Sequence, residues 1–382
     1  MHDADVIIAG AGPAGSTAAR VLAKQGFSVL VVDRAAFPRP KLCGGLLTWK
    51  SMRLLEHLRV GRPADLIAAG VVDTVTDGFV LRHREKRLAQ GRFAYPFHLV
   101  NRAAFDALLL DRARAAGAEV RVQCSVRGAD SAGVLDTDQG RLRGRFVIGA
   151  DGVNSGIRRA CDVDKKDWVG GLASAIEIAV PWSESPRRTD RPELFAGVLP
   201  AGYGWFFPNR DRALLGICGL SRHTPNFRRA FLDFLGVLGV REPEDFVRHH
   251  PLRGHPLPYG NALDRPWAGN TLLVGDAAGL ADPLLGEGIF YALLSGWYAA
   301  EAIAQALRGG SHPGQIYQSR LAGCVAPEIR GANRLRWLLF GLERYVSPDT
   351  LRGYLRLRTG ALAEMVHGIR SYAWGRKKTW DF

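Results

Sequence analysis

Three glycines and one acid carry the first chemistry legible in this chain. Gly10, Gly12 and Gly15 follow an apolar run from Val6 to Ala9, and Asp33 ends a second apolar run from Ser28 to Val32. Glycine at the first position permits a tight turn out of a strand. At the second it lets a pyrophosphate approach the backbone with no side chain in the way. At the third it lets a helix pack closely on the strand. A helix starting there offers free N–H groups and a positive dipole end to phosphate. Asp33 stands 18 residues beyond Gly15, about where a carboxylate accepts hydrogen bonds from ribose hydroxyls. A helical pattern runs from Ala14 to about Lys24 between the two apolar runs. Strand, glycine turn, helix, strand and acid therefore occur in order, and residues 5–33 read as a dinucleotide-binding βαβ unit. The motif does not say which dinucleotide.

The rest of the chain must position this unit. A length of 382 residues suggests about two domains. Residues 98–125 read as a strand end, a helix and a strand. Residues 134–150 alternate like strands and end in FVIGA, and 262–307 give a strand, a glycine-rich turn and a long helix. These pieces are expected to rejoin the first unit in one sheet. The expected boundaries are 1–70, 98–160 and 262–313 for a discontinuous dinucleotide-binding domain. Residues 71–97 and 161–261, whose shorter apolar runs are broken by Pro, Gly and Asp, suit an antiparallel sheet. The fold class is α/β with two domains, and residues 314–382 form a helical C-terminal segment. Within it, 334–345 and 351–366 read as helices separated by Ser347-Pro348-Asp349. Arg334, Arg336, Arg344, Arg352, Arg356 and Arg358 interleave with Leu, Trp and Phe. Two readings stand: an interfacial helix pair resting on lipid, or helices packed on the domain with their arginines in solvent.

Composition narrows the class. Apolar residues make up 47% and charged residues 23%, as in globular proteins. No apolar run is long enough to span a bilayer, and the N-terminus does not read as a secretory signal. The cytoplasm is the expected location, with peripheral contact at the inner face of the membrane as the alternative. Cys43, Cys124, Cys161, Cys218 and Cys324 are scattered, odd in number and without a CxxC pair. A disulfide framework, a zinc site and an iron–sulfur cluster are therefore not expected. The net charge of +14 fits an anionic lipid, an acidic partner, or simply a solvated arginine-rich surface. It would also fit nucleic acid, which is not expected as a partner.

Two further motifs follow the first in order: GADGVNSGIRR at 149–159, directly after an apolar run, and LLVGDAAGLADPLLGEGIFYALLSG at 272–296. With them the chain resembles the superfamily of flavoprotein monooxygenases and geranylgeranyl reductases over nearly its whole length. The resemblance implies FAD. Gly10, Gly12, Pro13, Ala14, Gly15, Asp33 and Arg34 would hold its ADP half, and Arg102 would lie beside the pyrophosphate. Asp151 would contact the FAD chain through its backbone, and Asp276 would bind the ribityl hydroxyls. Gly286, Gly288 and Ile289 would complete the flavin end. There the N-terminus of a helix opened by Pro283–Gly288 would face the electron-rich edge of a reduced flavin.

Two segments resemble the geranylgeranyl reductase branch. PRPKLCGG at 38–45 matches a P-x-x-K-x-C-x-G segment, which implies Cys43, Gly44 and Gly45 as candidate catalytic positions at the flavin face, with Cys43 either a proton donor or a shaper of that face. GYGWFFP at 202–208 matches a YxWxFP substrate motif carried by Tyr203, Trp205, Phe207 and Pro208. Cys218 replaces the second glycine of the GxG that follows in that family, and Asn209 stands where lysine is usual. Both departures fall on the substrate side. The implied reaction is reduction of an isoprenoid C=C bond in a lipid, quinone or pigment tail, with hydride from reduced FAD. An unactivated alkene leaves such a site to work by orientation, exclusion of water and an aromatic slot. The alternative is a flavin monooxygenase or halogenase using O2. The reductant is left open among NADPH, NADH and a ferredoxin, so an electron-donor protein is a further expected partner.

Overall fold

The computed structural model describes residues 2–159, 165–342, 350, 353, 360–373, 375–380 and 382. Two sheets organise them. The first has the strand order Trp267–Ala268, Thr271–Leu273, Gly140–Gly149, Ala4–Ala9, Val29–Asp33, Glu119–Val122. Ala4–Ala9 lies at its centre, parallel to both neighbours. Val6, Ile7, Ile8 and Ala9 are fully buried, so the strand reads as an unbroken apolar run rather than an alternation. Helices Pro13–Lys24, Arg102–Arg114 and Ile289–Leu307 belong to this layer. Pro13 takes the first helical position, where its missing N–H costs nothing. Ile289–Leu307 packs on Pro13–Lys24 so closely that a Cβ at Gly296 would overlap the carbonyl of Ala14.

The second sheet has the order Arg253–Pro258, Leu172–Pro181, Arg212–Leu220, Gly202–Pro208, Glu193–Ala196, Val72–His83, Lys86–Val100, Leu46–Leu47. The period of two along a strand sorts its side chains onto opposite faces. Ile178, Val180, Phe206 and Leu215 pack with Phe231 and Leu235 of the helix Phe227–Val237. Ala173, Ala175, Trp205, Phe207 and Cys218 lie on the other face, against Leu42 and Leu46. One face is thus covered by helices, and the other meets the segment following Asp33.

The structure departs from the sequence expectation in four places. The second sheet is mixed rather than antiparallel, because Glu193–Ala196 runs parallel to Val72–His83. Parallel partners lie far apart in sequence, and local patterning carries no signal of their sense. Leu46–Leu47 and the end of Lys86–Val100, assigned by pattern to the dinucleotide-binding part, pair in the second sheet. Phe227–Val237 and Pro243–His249, read as strand-like, are helices. The Asn226 side chain accepts from the Arg229 N–H, an N-cap visible in the sequence. Finally, Arg336 is not a solvated basic residue. It is buried, donates to the carbonyls of Tyr259 and Pro283 and to Asn333 Oδ1, and its guanidinium lies over the Tyr259 ring. Arg334 is exposed. Arg344, Arg352, Arg356, Arg358 and the Ser347-Pro348-Asp349 stop lie outside the described residues. Among the described residues, no helix is long and apolar enough to cross a membrane.

Candidate functional site

The three glycine motifs converge on the start of the helix Pro13–Lys24. Gly10 has a φ of 104°, in the region that glycine alone adopts readily. A Cβ there would overlap the carbonyl of Ala150, so the first motif packs directly on the GADG turn. A Cβ on Gly15 would overlap the Gly10 carbonyl and stand 3.2 Å from Ala150 Cβ. Gly12 differs: a Cβ there would meet only Arg39 Nη2, at 3.7 Å. Gly12 is also the N-cap of the helix and supplies no side-chain cap. Its free N–H groups open onto room that a phosphate could fill.

Asp33 accepts the Ala11 N–H through Oδ2 at 2.7 Å and the Ala35 N–H through Oδ1 at 2.8 Å. Each oxygen keeps lone-pair capacity for a hydroxyl. The adjacent Arg34 is exposed. Asp151 caps the short helix Gly156–Arg159 through Oδ2, at 2.8 Å from the Gly156 N–H, and its buried Oδ1 accepts no hydrogen bond from the described residues. Nothing stands within 4 Å of a Cβ built on the neighbouring Gly152.

A cationic cluster faces these turns. Arg102 grips Asp106 with two parallel bonds, Nε to Oδ1 at 3.0 Å and Nη2 to Oδ2 at 2.9 Å. Arg39 shares the same carboxylate at 3.5 Å and lies over Gly12. Burial works against the charge on Arg102, but Asp106 and the nearby Cys43 outweigh it and raise its pKa. Lys41 Nζ donates to His255 Nε2 at 2.7 Å. Burial lowers the Lys41 pKa, and Asp276 opposes that shift. Burial, then Lys41, pushes the His255 imidazole down to about 4, so it is the neutral acceptor of this pair. Burial raises the Asp276 carboxyl while Lys41 and Arg102 pull it back. Lys41, Cys43, Arg102 and Asp276 therefore come from three separate segments to one cleft.

The Asp276 turn is fixed from behind. The Gly275 N–H donates to Ser295 Oγ at 2.9 Å, and Tyr317 donates to the Leu273 carbonyl at 2.8 Å. Gly288 is the N-cap of the helix that starts at Ile289, with no side-chain cap, and Asp276 Oδ1 lies 3.3 Å from a Cβ built there. Glu287 anchors the Gly286–Gly288 turn: it pairs with buried Lys50 at 2.7 Å and accepts from Thr48 Oγ1 at 2.7 Å. Gly286 takes a φ of 68°, and the Tyr203 hydroxyl donates to the neighbouring Leu285 carbonyl.

The aromatic segment forms the opposite wall. Tyr203, Trp205 and Phe207 share one face of their strand, and Pro208 ends it, buried. A Cβ on Gly44 would stand 2.6 Å from the Phe207 ring, so the Cys43–Gly45 turn packs on that face. Gly45, at φ 68°, donates its N–H to Cys43 Sγ at 3.3 Å. Cys218 faces Tyr203 across the strand pair, buried, with its thiol pushed up by burial to about 12; it is an inert filler here. Trp205 reaches over Gly216, where a Cβ would collide with its indole. Gly216 is the first glycine of LLGICGL, and its role is this clearance. Gly216→Ala is expected to turn the indole away from this wall and lower turnover at least about tenfold while cofactor content stays intact. Flavin spectra beside turnover would check it, and loss of both together would contradict it.

Among the residues that sequence reasoning left unassigned are Arg39, Lys41, His255 and Asp106. Asp106 had a signal, since it stands four residues after Arg102 on one helix face. Lys41 and His255 are joined only by tertiary structure.

A largely parallel sheet with glycine turns at its strand ends, a buried acid facing a cationic cleft, and a second sheet closing over it define a dinucleotide-binding protein. Residues 3–190 match a family model described as "FAD binding domain", and the chain is an FAD-dependent enzyme of that class. It is 33% identical to a menaquinone reductase of Mycolicibacterium smegmatis over 78% of this chain and 76% of the relative. It is 30% identical to the chloroplastic geranylgeranyl diphosphate reductase of Oryza sativa subsp. japonica, over 80% of this chain and 67% of the relative. A solved geranylgeranyl bacteriochlorophyll reductase-like protein of Thermoplasma acidophilum shares the fold, with a TM-score of 0.77 over 97% of each chain at 22% identity. The chain belongs to the geranylgeranyl reductase family of FAD-dependent oxidoreductases.

Proposed function

We propose that this enzyme reduces C=C bonds in an isoprenoid chain carried by a lipid, quinone or pigment. The observation that carries this reading is the apolar face of Tyr203, Trp205 and Phe207 closing on the Cys43–Gly45 turn, beside the cleft of Arg102 and Asp276. Relatives named for geranylgeranyl and menaquinone reduction support it.

The residues present fit FAD. Gly12 and the capless helix it opens leave room for a pyrophosphate, and Arg39 and Arg102 supply positive charge beside it. Asp33 would take ribose hydroxyls, Asp276 the ribityl chain, and the N-terminus at Ile289 the negative edge of the ring. FAD bound there and reduced would supply the hydride for one alkene carbon. The aromatic wall holds the chain and excludes water, and an uncharged hydrocarbon offers it little else to grip. NADPH, NADH or a ferredoxin would regenerate the reductant.

The test is an anaerobic half-reaction. The flavin-loaded protein is reduced with dithionite and given a geranylgeranyl lipid without oxygen. Return of oxidised-flavin absorbance, with a saturated product by mass spectrometry, is the expected result. A flavin that stays reduced with a panel of prenyl lipids and reoxidises only when air enters would overturn this reading in favour of an oxygen-using monooxygenase or halogenase.

A further inference from the structure

One buried acid stands in the substrate wall with no part in holding the cofactor. Glu177 interrupts the apolar strand LASAIEIAV of the second sheet. Neighbouring registers place Glu177, Gly216 and Trp205 side by side across three strands. With no side chain at Gly216, the Trp205 indole crosses it and donates its Nε1–H to Glu177 Oε2 at 3.2 Å. The backbone N–H of Cys43 faces the same carboxyl from the flavin-side turn. Arg253 pairs with Glu177 in register from the other neighbouring strand, and Arg212 acts on it from the Gly216 strand. The side chain is 7% exposed, on the same wall as Tyr203 and Phe207.

Alkene reduction needs a proton as well as a hydride. Water is kept out of an aromatic slot, so a buried acid at its wall is the natural source. We infer that Glu177 delivers this proton to the second alkene carbon, with Trp205 and the Cys43 backbone aiming its carboxyl. This rests on the isoprenoid-reduction reading above. The balance is simple. The C=C π bond breaks and its electron pair forms the C–H bond to the proton at one carbon, while the carboxyl O–H bond breaks and leaves its pair on the carboxylate. The other carbon receives the hydride, whose two electrons come from reduced FAD. After product leaves, the carboxylate takes a proton from water. The environment favours the protonated acid below a pH of about 7. Burial raises the Glu177 carboxyl to about 7, against the smaller opposing effects of Trp205, Cys43, Arg253 and Arg212.

Glu177→Gln tests this cleanly, because Gln keeps the acceptor for Trp205 and loses only the proton. In the anaerobic half-reaction the variant should load FAD and accept electrons from dithionite normally. Its reoxidation by the prenyl lipid should be at least about 100-fold slower. A residue that merely braces Trp205 would leave that rate within about twofold, and such a result overturns the proposal while the isoprenoid reading stands. A wild-type flavin indifferent to every prenyl lipid overturns both.

Wild-type protein gives an independent check. Its prenyl-dependent rate should fall about tenfold per pH unit above a pH of about 7. A rate that is flat or rising there also overturns the proposal. Thermal unfolding reads the proton without turnover. A carboxyl raised from 4.5 to about 7 binds its proton in the folded state across that window, so it lends stability at the acid end and loses it as pH rises. Glu177→Gln should therefore gain on wild type as pH climbs from 4.5 to about 7. A constant gap would mean that the carboxyl is already ionised and is not the acid.

Discussion

Asp106→Ala is expected to lower folding stability by about 3–5 kcal/mol, the usual cost of leaving one partner of a buried ion pair uncompensated. Asp106 is 0% exposed and is the carboxylate to which both Arg102 and Arg39 are tied. Its loss leaves the nearly buried Arg102 guanidinium without its counter-charge while burial still opposes its ionisation. Exposed pairs such as Arg62–Asp65 are screened by solvent and contribute little. Urea unfolding of the cofactor-free variant would measure the difference, and a loss below about 1 kcal/mol would show that solvent already screens the pair. Added FAD should restore part of the lost stability, since a ligand bound only by the folded state stabilises it by mass action. The pyrophosphate would become the anion these two arginines lack.

The second large effect separates two kinds of glycine within one motif. Gly15→Ala is expected to cost about 3 kcal/mol and to leave the purified protein nearly free of FAD. Its Cβ would overlap the Gly10 carbonyl, so the helix Pro13–Lys24 must lift from the strand end that it caps. Gly12→Ala should leave the melting temperature of the cofactor-free protein nearly unchanged, because its Cβ finds only Arg39 Nη2 at 3.7 Å. It should nonetheless weaken FAD binding at least about tenfold, by placing a methyl group where the pyrophosphate approaches. Melting curves without cofactor, beside a fluorescence titration with FAD, would distinguish the two. Equal losses of stability in both variants would contradict the assignment of Gly12 to the ligand rather than the fold.

Local geometry was readable before any coordinates. The positive φ at Gly10 and the packing of Gly15 on the Gly10 carbonyl involve residues close in sequence, and glycine answers a steric demand that no other residue meets. The alternation of Tyr203, Trp205 and Phe207 with Gly204 and Phe206 is likewise local. A strand's period of two assigns its faces without knowledge of what covers them. The three motifs in order carried the resemblance that implied the flavin fold and FAD.

Charge and proximity were decided elsewhere. Arg336 looked like one more arginine in a basic helix, yet it is buried over the Tyr259 ring and braces the loop at Pro283. Lys41 and His255 are 214 residues apart and share one proton-bearing contact. Glu177, Gly216 and Trp205 are neighbours only because three strands lie in one register. The sense of Glu193–Ala196 beside Val72–His83 depends on how a long connection returns, and no local pattern records that. Sequence by itself determined the turns and the strand faces, because these follow from sterics over a few residues, and the resemblance carried by its three motifs implied the cofactor. Only the tertiary structure decided which charges are buried together and which acid stands in the substrate wall, because desolvation and pairing arise only where distant segments meet.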